Sequence, residues 1–157
     1  MQIRKLIFVS VVVGCVVSLS GCATMAEGPS FSEARATTPM AGKATVYVFR
    51  KFAQPTLWGA TIHFDNQEVA TLNERGFTWA YLSPGNHTIR AVWAGLSGQQ
   101  DSHINLDVKA ENTYYMELWG ISQFYAMGSG LHEVKPEVAE SVVSQCCKFQ
   151  KPRSLEY

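Results

Sequence analysis

Ala44-Thr45-Val46-Tyr47-Val48-Phe49-Arg50 decides the fold class of this 157-residue chain. β-Branched and aromatic residues fill the stretch, which is how a strand reads. Apolar side chains stand on both parities, and alternate residues of a strand point to opposite faces, so the pattern predicts a strand covered on both sides. The texture continues downstream. Thr61-Ile62-His63-Phe64 and Glu68-Val69-Ala70-Thr71-Leu72 flank the polar turn Asp65-Asn66-Gln67 and predict a hairpin. A strand over 77–82 ends at Ser83-Pro84-Gly85-Asn86, where Pro sets φ at the second position and Gly supplies positive φ at the third, as in a type II turn. Residues 87–93 are expected to return antiparallel from it. After a Gly/Ser/Gln loop over 95–102, strands over 103–108 and 113–119 are expected to form a further hairpin around Lys109-Ala110-Glu111-Asn112. This spacing indicates a sandwich or barrel, and the expectation is an antiparallel β-sandwich of about seven or eight strands.

The C-terminal part changes period. Pro136 suits a first helical turn, where its missing N–H costs nothing, and Glu137 favours the positive end of the helix dipole. Val138, Val142 and Cys146 lie four apart beside Ala139, Val143 and Cys147, with Glu137, Glu140, Ser141, Ser144 and Lys148 on the other side. One amphipathic helix packed across the sheet is predicted. The domain is thus expected to span 43–150, with a tail over 151–157.

At the other end, Leu19-Ser20-Gly21-Cys22 follows a basic start, Arg4 and Lys5, and a twelve-residue apolar run over 6–17. This is the layout of a bacterial lipoprotein export signal: a charged end, a bilayer-entering segment, and small residues before a thiol that takes a diacylglyceryl group. Residues 1–21 would be removed between Gly21 and Cys22, leaving Cys22 lipidated. An uncleaved spanning helix and a plain secretory signal are the alternatives, but the run is short of the roughly 20 residues a span needs. Three acyl chains, palmitate among them, hold a protein far more firmly than the marginal grip of one myristoyl chain. Ala23 is not the Asp that resembles an inner-membrane retention signal, so the expected location is the periplasmic face of a Gram-negative outer membrane. From Ala23 to Gly42 the sequence is small and polar without periodicity, so 22–42 reads as a flexible tether with an r.m.s. reach on the order of 25 Å. Phe31, its one aromatic residue, is a candidate for docking on the domain.

Composition narrows the classes. Removing 1–21 leaves 136 residues, one domain with a real core, and leaves 11 basic against 13 acidic residues. That balance argues against a nucleic-acid or anionic-lipid surface as the main partner. Abundant aromatics exclude a disordered chain. With Cys15 in the signal and Cys22 lipidated, only Cys146 and Cys147 remain, too few for a disulfide framework. Both continue the apolar ridges of the helix and are expected to be buried, unbonded thiols.

Three segments resemble, in order, the marks of a bacterial lipoprotein family of unknown function, domain of unknown function family 2846. They are Lys43-Ala44-Thr45-Val46-Tyr47-Val48-Phe49-Arg50, Ser83-Pro84-Gly85-Asn86-His87-Thr88-Ile89, and Asn112-Thr113-Tyr114-Tyr115-Met116. The likeness runs from about Lys43 to Val134. Asn112 stands where that family often has Gly, a mild departure because Asn also tolerates positive φ. The resemblance implies a β-sandwich and no established activity.

Motifs for chemistry are sparse. His63, His87, His103 and His132 have no close spacing and no accompanying Cys or carboxylate motif, so they read as strand and turn residues rather than metal ligands. Gly95-Leu96-Ser97-Gly98 lacks the nucleophile-elbow spacing, and Gly128-Ser129-Gly130 reads as a loop without a phosphate-binding frame. Asn86-His87-Thr88 fits a glycosylation acceptor but fills a turn. Arg50, ending an apolar strand, is expected either to snorkel to solvent or to pair with a buried carboxylate such as Asp65 or Glu117. Phe52, Trp58 and the stretch from Trp119 to Tyr125 place aromatics near loops, as a partner surface or as caps on the core. No catalytic residue, metal or cofactor is assigned. The reading is a lipid-anchored envelope module with a protein partner not identified by sequence. The alternative is a carrier holding an apolar or peptide ligand in a pocket lined by Trp58, Trp79, Trp93 or Trp119. A hydrolase would need a nucleophile and base about 3 Å apart.

Overall fold

A computed structural model describes residues 24–123 and 126–151. The expected signal over 1–21, the acceptor Cys22 and most of the tail lie outside the described residues. Strand β1 (Ala44–Arg50) is buried along its whole length. Ala44, Val46 and Val48 face the opposing sheet, while Tyr47 and Phe49 belong to a separate apolar cluster on the outer side. Its two-parity pattern is explained by that double coverage.

The described strands form two sheets. One has the order β8 (Ala126–Val134), β7 (Thr113–Gln123), β1, β4 (Gly76–Leu82), β9 (Lys148–Phe149); the other has β3 (Gln67–Leu72), β2 (Ala60–Phe64), β5 (Gly85–Trp93), β6 (Ser102–Val108). Between them lies a core that includes Val46, Val48, Ile62, Leu72, Ile89, Trp93, Met116 and Leu118. The sandwich predicted from sequence is therefore present, with β1 and β7 parallel and most other neighbours antiparallel. The β2–β3 hairpin forms around Asp65 and Asn66, with Asp65 at φ 55°.

Two expected hairpins are corrected. β4 pairs with β1 and β9, and β5 with β2 and β6, so Ser83-Pro84 carries the chain from one sheet to the other rather than folding it back. Likewise β6 and β7 belong to different sheets. Turn chemistry permits a reversal without choosing the sheet, and it is burial of each strand's core face that chooses. Gly85 does hold positive φ, at 130°, but as the first residue of β5. Gly128-Ser129-Gly130, expected as a loop, lies inside β8. Gly130 faces Trp119 across the ladder, and a Cβ there would meet the indole Nε1 at 2.6 Å. Glycine in this strand makes room for an aromatic ring, which a propensity reading takes for a break.

Helix α2 (Pro136–Cys146) has Pro in its first turn and buries Ala139 and Val143 against the outer face of the five-stranded sheet. Cys146 and Cys147, expected as unbonded thiols, are joined by a disulfide. A bond between neighbouring cysteines is not accommodated inside a helix. Here the helix ends at Cys146, and Cys147 has extended backbone at φ −117° and ψ 148°. Cys147 is buried as expected, whereas Cys146 is only partly so.

The tether is also corrected, from Thr24 onward. The Ala26 N–H donates to the Glu74 carbonyl at 2.7 Å and the Glu74 N–H to the Thr24 carbonyl at 3.0 Å. Helix α1 (Phe31–Ala34) places Phe31, 4% exposed, against Tyr47 and Phe77 with ring centroids 5.7 and 5.5 Å away. The Trp79 indole donates to the Ala34 carbonyl, the Tyr47 hydroxyl accepts from the Ala36 N–H, and the Tyr81 hydroxyl donates to the Thr38 carbonyl. Small polar composition signals little intrinsic structure, but backbone bonds to a sheet edge and one buried ring suffice to dock a segment.

Candidate functional site

The densest polar arrangement among the described residues lies where β1 ends. Arg50 is fully buried, and its guanidinium donates to four carbonyls: Trp58 (2.7 Å) and Leu72 (3.1 Å) from Nη1, Ala53 (2.6 Å) and Pro55 (2.9 Å) from Nη2. Its Nε stands 3.4 Å from the Glu74 carboxylate, and its Cζ lies 4.9 Å from the centre of the Trp93 ring. Of the two expected behaviours, snorkelling is excluded, and the partner is Glu74 rather than Asp65 or Glu117. A turn reading Asn73-Glu74-Arg75-Gly76 looks solvated in sequence, so no local signal marks Glu74. Burial pushes the Glu74 carboxyl above its ordinary value, with the Arg50 charge and the Ala53 N–H opposing. Burial likewise lowers Arg50, against the pull of Glu74, though an arginine stays charged.

The arrangement is structural in its chemistry. The guanidinium's Nη donors are directed to main-chain carbonyls, and its Nε faces the Glu74 carboxylate. Its effect is to gather the β1–β2 connection, the end of β3 and, through the Glu74 backbone, the N-terminal segment. Thr24 adds a hydroxyl bond to the Thr56 carbonyl at 3.2 Å. The expected lipid acceptor Cys22 lies outside the described residues, two positions before this anchored point.

Other candidates are dispersed. Asp65 pairs with His87, the ring Nδ1 standing 2.8 Å from its carboxylate and Nε2 2.8 Å from the Ser83 carbonyl. Glu117 stands 3.5 Å from His132. His63 is half-buried on β2, and His103 is exposed on β6. Among the described residues no group of three His, Cys, Asp or Glu side chains is placed to hold a metal ion. Ser97 is buried and its Oγ accepts from the Gln99 N–H; the Ser129 Oγ accepts from the Trp93 indole and donates to the Gln100 carbonyl. The four tryptophans do not converge. Trp93 is in the core between the sheets, Trp79 on the outer side near Tyr47 and Phe149, Trp119 on the surface over Gly130, and Trp58 half-buried at the Arg50 end. An open groove of about 340 Å³ is lined by Lys51, Phe52, Arg75, Val142, Gln145 and Cys146.

Fold and site together define a two-sheet β-sandwich with a helix across one sheet and a buried arginine fastening one end. The matching family model is described as protein of unknown function DUF2846 and covers residues 40–130, from just before β1 into β8; the chain belongs to that family. A search of curated proteins gave no match.

Proposed function

We propose that this chain is a lipoprotein of a Gram-negative envelope, acylated at Cys22 and held at the periplasmic face of the outer membrane, where its sandwich serves as a non-enzymatic binding or structural module. The observation that carries the reading is Leu19-Ser20-Gly21-Cys22 directly behind a basic start and an apolar run. Tryptophans spread over separate places, rather than lining one pocket, support a module over a carrier. Replacement of Cys22 by Ser tests the anchor. The expected result is an uncleaved precursor that takes up no palmitate. A variant still cleaved after Gly21 and held in the membrane as tightly as the unaltered chain would overturn the reading. Crosslinking in intact envelopes then identifies the partner.

A further inference from the structure

The large apolar side chains left on the surface gather at one end of the sandwich. Phe52 (61% exposed) and Leu57 (56%) belong to the β1–β2 connection, Leu96 (85%) to the turn after β5, Ile121 and Met127 to the tip of the β7–β8 hairpin, and Met25 to the N-terminal segment. Apart from Trp119 on the same hairpin, the other large apolar side chains exposed among the described residues are Met40 and Val138. These segments are fastened to one another. The Gln54 N–H donates to the Gly120 carbonyl and its side-chain oxygen accepts from the Ser122 N–H, while the Gln99 amide donates to the carbonyls of Gln54 and Ile121. The opposite end carries the polar turns at Asp65-Asn66, Ser83-Pro84 and 109–112.

The N-terminal segment enters the domain at this apolar end. Thr24 is bonded to Thr56 and Glu74, and Cys22 is only two residues earlier. Two residues span at most about 7 Å. A bilayer's headgroup layer is itself roughly 5–8 Å deep on each side of the hydrocarbon. An acyl chain on Cys22 therefore leaves no slack for the domain to stand away. Lys51 and Arg75, both exposed, line the groove beside Phe52 and are placed to meet lipid phosphates.

Resting on the lipoprotein reading above, we propose that the end carrying Phe52, Leu57 and Leu96 lies on the phospholipid surface that holds the anchor. Its apolar side chains enter the headgroup region, and the polar end points into the periplasm. Aromatic and aliphatic side chains backed by basic residues are suited to that boundary. The anchor thereby fixes the orientation of the domain as well as its location.

The test uses the full-length chain in intact envelopes, with a benzophenone amino acid at Phe52, Leu57 or Leu96 and, for comparison, at Asn66 or Glu111. Illumination is expected to give phospholipid adducts at the first three positions and none at the other two, with Cys22 acylated in the same mass spectra. Acylated Cys22 with no lipid adducts at the apolar end, or with equal adducts at both ends, would overturn the docking and leave the anchor standing. Adducts to protein in place of lipid at those positions would also overturn it. Unmodified Cys22 in a soluble chain would overturn both. The unaltered lipidated chain gives an independent reading: in phosphatidylethanolamine–phosphatidylglycerol vesicles, amide exchange over 52–58 and 95–98 is expected to slow several-fold relative to detergent, and exchange at equal rates would count against the docking.

Discussion

The guanidinium of Arg50 and the carboxylate of Glu74 meet at 3.4 Å with almost no exposure to water, and between them they fasten three stretches of chain. Desolvating both charges consumes most of what their attraction returns, so the pair acts by position more than by net stability. Removing one partner is a different matter. Arg50→Met would leave four carbonyls unpartnered and strand the Glu74 carboxylate, at an expected cost of about 3–5 kcal/mol. Glu74→Leu leaves a guanidinium still held by those carbonyls and is expected to cost less, about 1–3 kcal/mol. In urea denaturation the double variant should lose less than the two single losses combined, by more than about 0.5 kcal/mol. Strict additivity would show that the two groups are not coupled.

Phe31 tests whether the segment after Thr24 belongs to the domain. Its ring is 4% exposed and packs on Tyr47 and Phe77. Phe31→Ala is expected to destabilise by about 3 kcal/mol, the low end for a buried phenylalanine because α1 covers the sheet from one side only. A free tether would tolerate the change within about 0.5 kcal/mol. That result in a thermal or urea melt would refute the docked arrangement.

Gly85 separates backbone strain from crowding. Its φ of 130° is disfavoured for side-chain-bearing residues, yet a Cβ built there meets nothing within 4 Å. Gly85→Ala and Gly85→Val are both expected to cost about 1–3 kcal/mol, since each suffers the same φ and neither meets a neighbour. Unchanged melting of both variants would mean that the entry into β5 relaxes at no cost.

Legibility in the sequence followed locality. β1, α2 and the β2–β3 hairpin are visible because periodicity and turn chemistry act over a few residues, as in Ala44 to Arg50 or around Asp65. Which sheet a strand joins depends on partners far along the chain, so the sheet change between β4 and β5 carries no local mark. β8 was hidden because Gly130 is explained only by Trp119, which lies opposite it on the neighbouring strand. Glu74 was hidden for a similar reason. In sequence it is a charged turn residue, and only the buried Arg50, 24 positions earlier, gives it a role. Phe31 was visible as an isolated aromatic residue, but its cradle of Tyr47 and Phe77 comes from β1 and β4.

The Asp65–His87 pair predicts a pH dependence. Burial works against the charged ring of His87, but the bonds to Asp65 and the Ser83 carbonyl outweigh it and raise its pKa. Both ring nitrogens face oxygen acceptors, so both are satisfied only when both carry hydrogen. Asp65 is lowered by the bond from His87 and then by the Thr88 N–H. His87's contribution is fully present below its unfolded value near about 6.5 and is lost as pH rises through the raised value. Asp65's is present above about 4 and is lost as pH falls through the lowered value. The pair's stabilisation is therefore greatest between about pH 4 and 6.5. Because Asp65 is half exposed, the amount is small, about 0.5–1 kcal/mol. His87→Gln should flatten the stability profile on the alkaline side of that window, and an unaltered profile would remove the pair as its cause.

Cys146 and Cys147 differ in reach although they share a bond. Cys147 is 3% exposed beneath the helix, whereas Cys146 lines the open groove beside Lys51 and Arg75. In the purified, denatured but unreduced chain, an alkylating reagent is expected to label neither cysteine, and reduction should make both reactive. In the folded chain after mild reduction, label should go first to Cys146, because that thiol is the accessible one. Peptide mass spectrometry resolves each step. Two thiols already open to labelling in the unreduced chain would contradict the bond. Preferential labelling of Cys147 would contradict the packing of α2, since that thiol becomes the more reactive only if the end of the helix lifts from Phe77 and Val143 stops shielding the cluster beneath it.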